Sequence, residues 1–270
     1  MQAFQPLRAA IVGDNTIDRY LGPPVTEYVG GNAVNVAVQL SRVGHDAGAG
    51  AVGYFGAIGP DADGATIARA LERTGLDLGG LVRQEGVSAV TEISLTANGD
   101  RVFEREDFGV TASYYPDTAA LDRIAAASWV HIGMMSRSAE LVAELVSRNP
   151  ALMISQDCSV SSGHASLAVA FDSAGEDESR SARMADAAIA GGSALAVVTL
   201  GALGAVAFDG TSRWRQNAHA ARVVDTTGAG DAFTAGFIDA RLNGTSIQDA
   251  LAAGARLAAA TCEHLAGFPQ

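Results

Sequence analysis

The feature that most constrains the fold of this chain is a repeated change in its hydrophobic pattern. Short apolar runs such as Ala9–Val12, Trp129–Ile132 and Ala205–Phe208 alternate with longer segments of helical spacing, such as Asn32–Val43. A strand that is apolar along its whole length is covered on both faces. The alternation therefore predicts an α/β sandwich, with a mostly parallel central sheet between two layers of helices.

Further segments fit the same alternation. The polar stretch Asp172–Arg183 predicts a loop that leads into a helix. We also predict helices over Gly64–Thr74, Ala139–Ser147, Ala229–Asn243 and Ile247–His264, strands over Leu152–Ile154, Ala194–Leu200 and Arg222–Val224, and antiparallel pairing between Ala205–Phe208 and a strand at Trp214.

One region departs from this pattern. Between Ala89 and Phe103, apolar and polar residues alternate on either side of Asn98-Gly99. Asn-Gly between two such runs is typical of a β-hairpin turn. We therefore predict a small β-sheet that projects from a single domain spanning residues 1–270.

Composition bounds the class of protein. The chain has 270 residues, of which 48% are hydrophobic, but no apolar run approaches the length of about 18 residues needed to span a bilayer. The N-terminal sequence lacks the pattern of a signal peptide. Only two cysteines, Cys158 and Cys262, are present and they lie far apart, so we expect no disulfide framework and a cytoplasmic location.

The charge of the chain restricts its partners. A formal net charge of −12 argues against nucleic acid and membrane surfaces as partners, because both require a basic surface. All 18 basic residues are arginine, so the chain has no lysine. Phosphate loops of the Walker A type, pyridoxal phosphate enzymes and Schiff-base aldolases all need a lysine and are excluded. Any phosphate site must use backbone N–H groups, arginine or a metal ion.

The segment Asp225–Phe233, Asp-Thr-Thr-Gly-Ala-Gly-Asp-Ala-Phe, is the strongest local motif. Its glycines allow a tight turn and close approach of a ligand, and the helix that follows presents first-turn N–H groups to an anion. A carboxylate at Asp231 would lie beside that anion site and could take the proton of an alcohol. The same spacing also fits a plain helix start in which Asp231 only complements the helix dipole.

A second polar motif lies near the N-terminus. Asp14 and Asp18 follow the first predicted strand, and Gly30-Gly31 precedes the helix that contains Asn35. Carboxylates, amides and exposed backbone are suited to binding several hydroxyl groups of a polyol. The alternative is a pair of side-chain turns and a capped helix. The five histidines show no spacing typical of metal ligands.

Together the two motifs resemble the two signatures of the ribokinase-like (PfkB) carbohydrate kinase family. Gly30–Ala37 is similar to the N-terminal signature and Asp225–Phe233 to the C-terminal one. The intermediate segments Gly56–Gly64 and Val198–Gly204 also resemble family landmarks. The resemblance covers essentially the whole chain. It implies an α/β/α sandwich with a small β-sheet lid, formed from segments near 16–29 and 87–109.

The resemblance also implies functions for individual residues. ATP and Mg²⁺ would be required, and a monovalent cation near Asp225 is common in the family. Glu176, in Ser173-Ala-Gly-Glu176, would take part in binding Mg²⁺ through water, although an ordinary solvated acidic run fits it equally. In the resemblance, Asp231 is the catalytic base, Gly228, Ala229 and Gly230 form the anion hole, Asp18, Gly30, Gly31 and Asn35 hold the sugar together with Asp14, and Thr199 and Gly201 line the nucleotide site.

Within the family, the likeness is to a subgroup that phosphorylates the 6-hydroxyl of fructosamines such as fructoselysine. The opening Gly13–Asp18, the lid strand Asp100–Phe103 and the strand Trp129–Ile132 are similar to that subgroup. Arg101 on the lid would then meet a substrate carboxylate, or would simply be a solvated strand residue. A kinase for ribose, fructose, a keto-deoxy sugar acid or a nucleoside, and a non-catalytic sugar or nucleotide sensor, are the alternatives. A homodimer through the lid is a further expectation.

Overall fold

A computed structural model of the chain describes residues 7–44, 51–95 and 101–270. They form two sheets and two layers of helices, as the hydrophobic alternation predicted. The helices are α1 Asn32–Val43, α2 Ala62–Leu71, α3 Thr118–Ala125, α4 Ser138–Arg148, α5 Glu178–Ala190, α6 Ala229–Leu242 and α7 Ile247–Thr261. The strands are β1 Ala9–Val12, β2 Thr16–Tyr20, β3 Thr26–Gly30, β4 Val52–Ile58, β5 Asp77–Arg83, β6 Val90–Leu95, β7 Arg101–Asp107, β8 Trp129–Ile132, β9 Met153–Asp157, β10 Val169–Ser173, β11 Ala196–Thr199, β12 Ala205–Phe208 and β13 Arg213–Gln216.

The large sheet has nine strands in the order β13-β12-β11-β10-β9-β8-β1-β4-β5. Its strands pair in parallel from β11 to β5, while β12 and β13 add an antiparallel edge. The central strands β1, β4 and β8 are buried along their whole length, because helices cover both faces. Two clusters of buried apolar side chains, one on each face, form the core. The carboxyl ends of the parallel strands therefore meet along one edge, where ligands of such sheets bind.

Most predicted elements match the structure to within two residues, but two predictions are wrong. Arg222–Val224 is not a strand: Val223 is 63% exposed, and the segment runs over the surface with Val224 N–H bonded to the carbonyl of Cys262. The stretch from Asp172 is not all loop, because Asp172 and Ser173 end β10. The strand was not predicted because its last residues are polar. They lie at the ligand edge of the sheet and not in the core.

The second sheet has four strands in the order β3-β2-β6-β7. Pairing is antiparallel between β2 and β3 and between β6 and β7, and parallel between β2 and β6. The segments 16–29 and 87–109 of the predicted lid contain these four strands except for Gly30, the last residue of β3. The Asn98-Gly99 turn itself lies outside the described residues.

The segment after α7, residues 266–270, connects three parts of the molecule. The side chain of Gln270 bonds to both backbone groups of Val29 in β3, with Oε1 2.8 Å from the Val29 nitrogen. The carbonyl of Gly267 accepts from Nε2 of Gln39 in α1 at 2.7 Å. The N–H of Ala266 donates to Oδ2 of Asp225 at 3.0 Å. The small sheet, α1 and the loop before α6 are thereby linked through one short stretch of chain.

In the part of the chain that the structure describes, every helix is too short or too polar to cross a lipid bilayer.

Candidate active site

The first turn of α1 lies beside the carboxyl end of β1, where the carboxylate of Asp14 anchors it. Asp14 accepts the N–H of Asn32 at 2.8 Å and that of Ala33 at 2.9 Å, one on each carboxylate oxygen. Gly31 has φ of 111° and lies so close to Asn15 that a Cβ on Gly31 would be 2.7 Å from the Cα of Asn15. Burial raises the pKa of Asp14 to about 6 against the lowering effect of these backbone donors. Asp14 therefore fixes the glycine turn, and contact with a sugar stays a prediction for it.

The sixth helix begins in the second motif and has no equivalent anchor. Its N-cap is Gly228, in the left-handed conformation with φ of 71°, and no side chain caps the helix. A Cβ on Gly228 would be 2.5 Å from the Cα of Gly267, whereas one on Gly230 would meet nothing within 4 Å. The turn at Gly228 is thus closed by the protein, while Gly230 faces open space. In this turn the N–H of Ala229 donates to the carbonyl of Thr226 at 3.2 Å.

The two motifs meet at Asp231. Its Oδ1 accepts from Nδ2 of Asn32 at 2.7 Å, and its Oδ2 accepts from Nδ2 of Asn35 at 2.8 Å. The first turns of α1 and α6 therefore face each other across residues almost 200 positions apart in sequence. Sequence reasoning placed Asn35 in the site but assigned no function to Asn32.

Asp231 lies in an unusual electrostatic environment. Burial, followed by the negative charges of Asp157 and Asp14, raises its pKa well above the ordinary value, against the opposing hydrogen bonds from Asn35 and Asn32. A carboxylate with a raised pKa is a stronger base than an ordinary aspartate. The residue is nevertheless partly exposed, so a ligand in the cleft can reach it.

Sequence reasoning missed Asp157, the last residue of β9. Its Oδ2 accepts the second hydrogen of Asn32 Nδ2 at 2.8 Å, so Asn32 bridges Asp157 and Asp231. Burial raises the pKa of Asp157. The signal that would have found it is its position: it follows an apolar strand whose carboxyl end lies at the ligand edge of the sheet.

Two of the predicted sugar residues, Asp18 and Gly30, belong to the small sheet. Asp18 in β2 lies over Gly30, because a Cβ on Gly30 would be 2.5 Å from its Oδ2. A cavity of about 210 Å³ adjoins Asp14, and its other lining residues are Phe108, Thr111, Ala112, Met134, Met135, Ser136 and Val160. Arg101 is the first residue of β7, but its side chain is outside the part that the structure describes.

The predicted nucleotide residues lie at the ends of β10 and β11. Thr199 donates from Oγ1 to the carbonyl of Asp172 at 3.2 Å, which joins the two strand ends. Gly201 follows with φ of 55°, and a Cβ there would be 3.4 Å from Cγ of Glu176. Glu176 is exposed beside this turn. The structure thus brings Thr199, Gly201 and Glu176 together.

Comparison of the sequence with known proteins gives a consistent picture. The model of the pfkB family of carbohydrate kinases matches residues 14–157 and 162–267. The chain is 33% identical over 266 residues to fructoselysine 6-kinase of Escherichia coli K12, covering 94% of this chain and 97% of the relative. It is 29% identical over 273 residues to a fructosamine kinase of Bacillus subtilis, covering 97% and 93%.

Comparison of the fold agrees. The structure matches Arabidopsis thaliana ribokinase, solved with ribose and ATP, with a TM-score of 0.84 and 19% identity over 98% of this chain and 96% of that one. Ribokinase of Thermotoga maritima matches with a TM-score of 0.82 and 18% identity, covering 97% and 96%. The fold is therefore ribokinase-like, as predicted. With its family model matched over nearly the whole sequence, this chain belongs to the pfkB family of carbohydrate kinases and is an ATP-dependent sugar kinase.

Proposed function

We propose that the enzyme transfers the γ-phosphoryl group of ATP to the 6-hydroxyl of a fructosamine, a sugar joined to an amino compound, such as fructoselysine. The observation that carries the proposal is the meeting of the two motifs at Asp231, through the amides of Asn32 and Asn35. The relatives named for fructoselysine and fructosamine support the choice of acceptor, since both align over more than nine tenths of the chain.

Asp231 is the proposed base. A sugar hydroxyl is a weak nucleophile, and a carboxylate that accepts its proton as the new P–O bond forms raises its reactivity. The raised pKa of Asp231 favours proton capture, and the two amides hold its oxygens in a fixed direction. Because the base must be ionised, the rate will fall on acidification at a pH above the ordinary range of an aspartate.

The proposed anion hole is the turn Gly228–Gly230. In the absence of lysine, backbone dipoles are one of the few means of stabilising the charge that develops on the transferring group, and the start of α6 supplies them. The open space at Gly230 supports a phosphate at that place. Thr199 and Gly201 would line the nucleotide, and Asp18, Gly30, Gly31 and Asn35 the sugar, with Asp14 holding the glycine turn.

The residues beside the nucleotide turn fit a magnesium ion. Glu176 offers an exposed carboxylate next to Gly201, and a carboxylate oxygen is the kind of ligand that Mg²⁺ accepts directly or through water. When bound, Mg²⁺ would offset the negative charge of the phosphates. Asp225, which accepts from the N–H of Thr227 at 2.9 Å, would adjoin a monovalent cation of the kind common in the family.

The small sheet is the proposed lid. Asp18 lies in it, and closure over the sugar would exclude water that competes as acceptor. Its outer strands β3 and β7 are also edges at which a second copy can pair. Free thiols at Cys158 and Cys262 and the dependence on ATP support a cytoplasmic location.

A panel of acceptors tests the proposal. The purified enzyme is given MgATP with fructoselysine, other fructosamines, ribose, fructose, a keto-deoxy sugar acid or a nucleoside, and ADP release is measured. We expect the highest kcat/KM for a fructosamine, with the phosphate found on O6 by NMR. A higher kcat/KM for a plain sugar or nucleoside would refute the acceptor. Stabilisation by ligands with no ADP release would instead indicate a sensor.

A further inference from the structure

Beside the site, a thiol, an imidazole and a carboxylate converge at the ends of β9 and β10. The Sγ of Cys158, a ring nitrogen of His164 and a carboxylate oxygen of Asp172 all lie within 4.8 Å of one another. Nε2 of His164 is 4.0 Å from Oδ2 of Asp172. We propose that these three residues form a binding site for a divalent transition-metal ion of the zinc class, separate from the magnesium that accompanies ATP.

The local fold brings the three ligands together at the ends of two neighbouring strands. Asp157 and Phe171 are register partners in the parallel pair β9-β10, and the N–H of Cys158 bonds to the carbonyl of Phe171 at 2.7 Å. Cys158 therefore lies beside Asp172. His164 lies in the connection between the two strands, where its carbonyl accepts from Oγ of Ser193 at 2.9 Å.

Asp172 is the most buried of the three residues. Its side chain is 6% exposed, and no donor within residues 7–44, 51–95 and 101–270 gives its carboxylate a hydrogen bond. A buried carboxylate in this condition is costly unless it is paired or bound to a metal.

The chemistry of the three groups selects the metal. Thiolate and imidazole bind Zn²⁺, Co²⁺ and similar ions, while Mg²⁺ prefers oxygen ligands only. Ligand atoms of a tetrahedral zinc site lie about 3.5 Å apart, so a small contraction of the cluster would suffice. On binding, the thiol of Cys158 loses its proton to solvent and the sulfur bonds to the metal, with water as the fourth ligand.

The position of the cluster indicates its effect. Cys158 follows Asp157, which holds Asn32, and the carbonyl of Asp172 holds the hydroxyl of Thr199. An ion here would fix two strand ends that carry residues on the sugar side and the nucleotide side. The inference rests on the cluster alone and does not depend on which acceptor the enzyme uses.

Metal binding to the full chain, with no substrate present, tests the proposal. Protein freed of metal with a chelator is titrated with Zn²⁺ against a chromophoric competitor, and separately with Co²⁺. We expect one equivalent of each, a near-ultraviolet band from the cobalt–thiolate bond, and a higher Tm in the zinc form. Absence of stoichiometric binding, or a cobalt complex without the thiolate band, would overturn the site.

Two near-isosteric variants and one control complete the test. Cys158→Ser and Asp172→Asn should each weaken zinc binding by about 100-fold or more, and Cys158→Ser should abolish the cobalt band. Cys262→Ser removes the other cysteine and should change neither. Metal-free Tm values show whether each variant is folded; if one is not, the remaining variant decides. Equal loss in Cys262→Ser, or no loss in the cluster variants, contradicts the assignment.

Discussion

The first turns of α1 and α6 face each other across one site, yet they are completed in different ways. At α1 the protein supplies its own anion, because both oxygens of Asp14 accept first-turn N–H groups. At α6 no side chain caps the helix, and Gly230 faces open space. Each helix start carries a partial positive charge. The start of α1 is therefore closed by the protein itself, whereas the start of α6 is open, as the proposed anion hole requires.

The carboxylates of Asp14 and Asp231 differ in the same way as the two helix starts. Both have raised pKa values because both are buried. Among the residues that the structure describes, Asp14 accepts only from backbone, whereas Asp231 accepts from the side-chain amides of Asn32 and Asn35 and remains partly exposed. A substitution at Asp14 should therefore affect folding first, and a substitution at Asp231 should affect turnover first.

The largest expected effect is at Asp231. Asp231→Asn keeps the shape of the side chain but removes the base, so kcat should fall by about 10²–10⁴-fold, measured by ADP release. Nucleotide binding and Tm should stay close to wild type. Asp249→Asn is the matched control, because Asp249 occupies the first turn of α7 and bonds only within that turn. An active Asp231→Asn enzyme would remove the basis of the mechanism.

The paired glycines of the α6 turn come next. Gly228→Ala places a Cβ 2.5 Å from the backbone of Gly267 at φ of 71°, so it should cost about 1–3 kcal/mol of stability in urea unfolding. Gly230→Ala meets no atom within 4 Å and should not lower stability. If the open space holds a phosphate, Gly230→Ala will still reduce turnover. Normal turnover in a stable Gly230→Ala protein would contradict the anion hole.

Asp14→Ala should have the opposite profile to Asp231→Asn. It leaves two first-turn N–H groups of α1 without their acceptor, each worth about 1–3 kcal/mol, while relieving the cost of a buried charge. We expect a net loss of about 2 kcal/mol in the free energy of unfolding. Chemical denaturation followed by circular dichroism measures it. Unchanged stability would mean that α1 is not anchored through this carboxylate.

The smallest effect is a pH dependence of stability. The pKa of Asp14 is about 6 in the folded state against a model value of 3.8, so between these values the folded state holds more protons. The free energy of unfolding therefore falls as pH rises from about 4 to 6 and is level above that, by about 1 kcal/mol between pH 5 and pH 7 from this group. The difference between wild type and Asp14→Asn, measured at both pH values, gives its contribution together with its effect on the neighbouring Asp231. An equal pH dependence in the two proteins would refute the raised pKa.

What the sequence could predict followed from local signals. The apolar runs and glycine turns located most helices and strands, including α1 with its exact bounds, because burial and turn geometry are set by neighbouring residues. Asp231 and Asn35 could be placed in the site because each lies in a motif with a physical reason. The predicted strand at Arg222–Val224 was wrong because two adjacent valines do not reveal whether a neighbouring strand is present to pair with them.

The contacts that sequence could not predict are those made across the sheet. Asp157 reaches Asn32, 125 positions away, only because β9 and β1 end at the same edge. Cys158, His164 and Asp172 have no ligand spacing along the chain, and converge because two parallel strands place neighbouring register positions side by side. Such groupings depend on strand order, which a single sequence does not specify.

The stretch 266–270 connects the small sheet to the turn at the start of α6. Val29 at the base of the small sheet is tied to Gln270, and Gly228 packs on Gly267 of the same stretch. A rotation of the small sheet would therefore pull on the backbone of the turn Gly228–Gly230, the proposed anion hole, with no side chain of the cleft as intermediary. A single displacement of the small sheet would then change both the binding of the sugar and the shape of the turn that is proposed to receive the phosphoryl group.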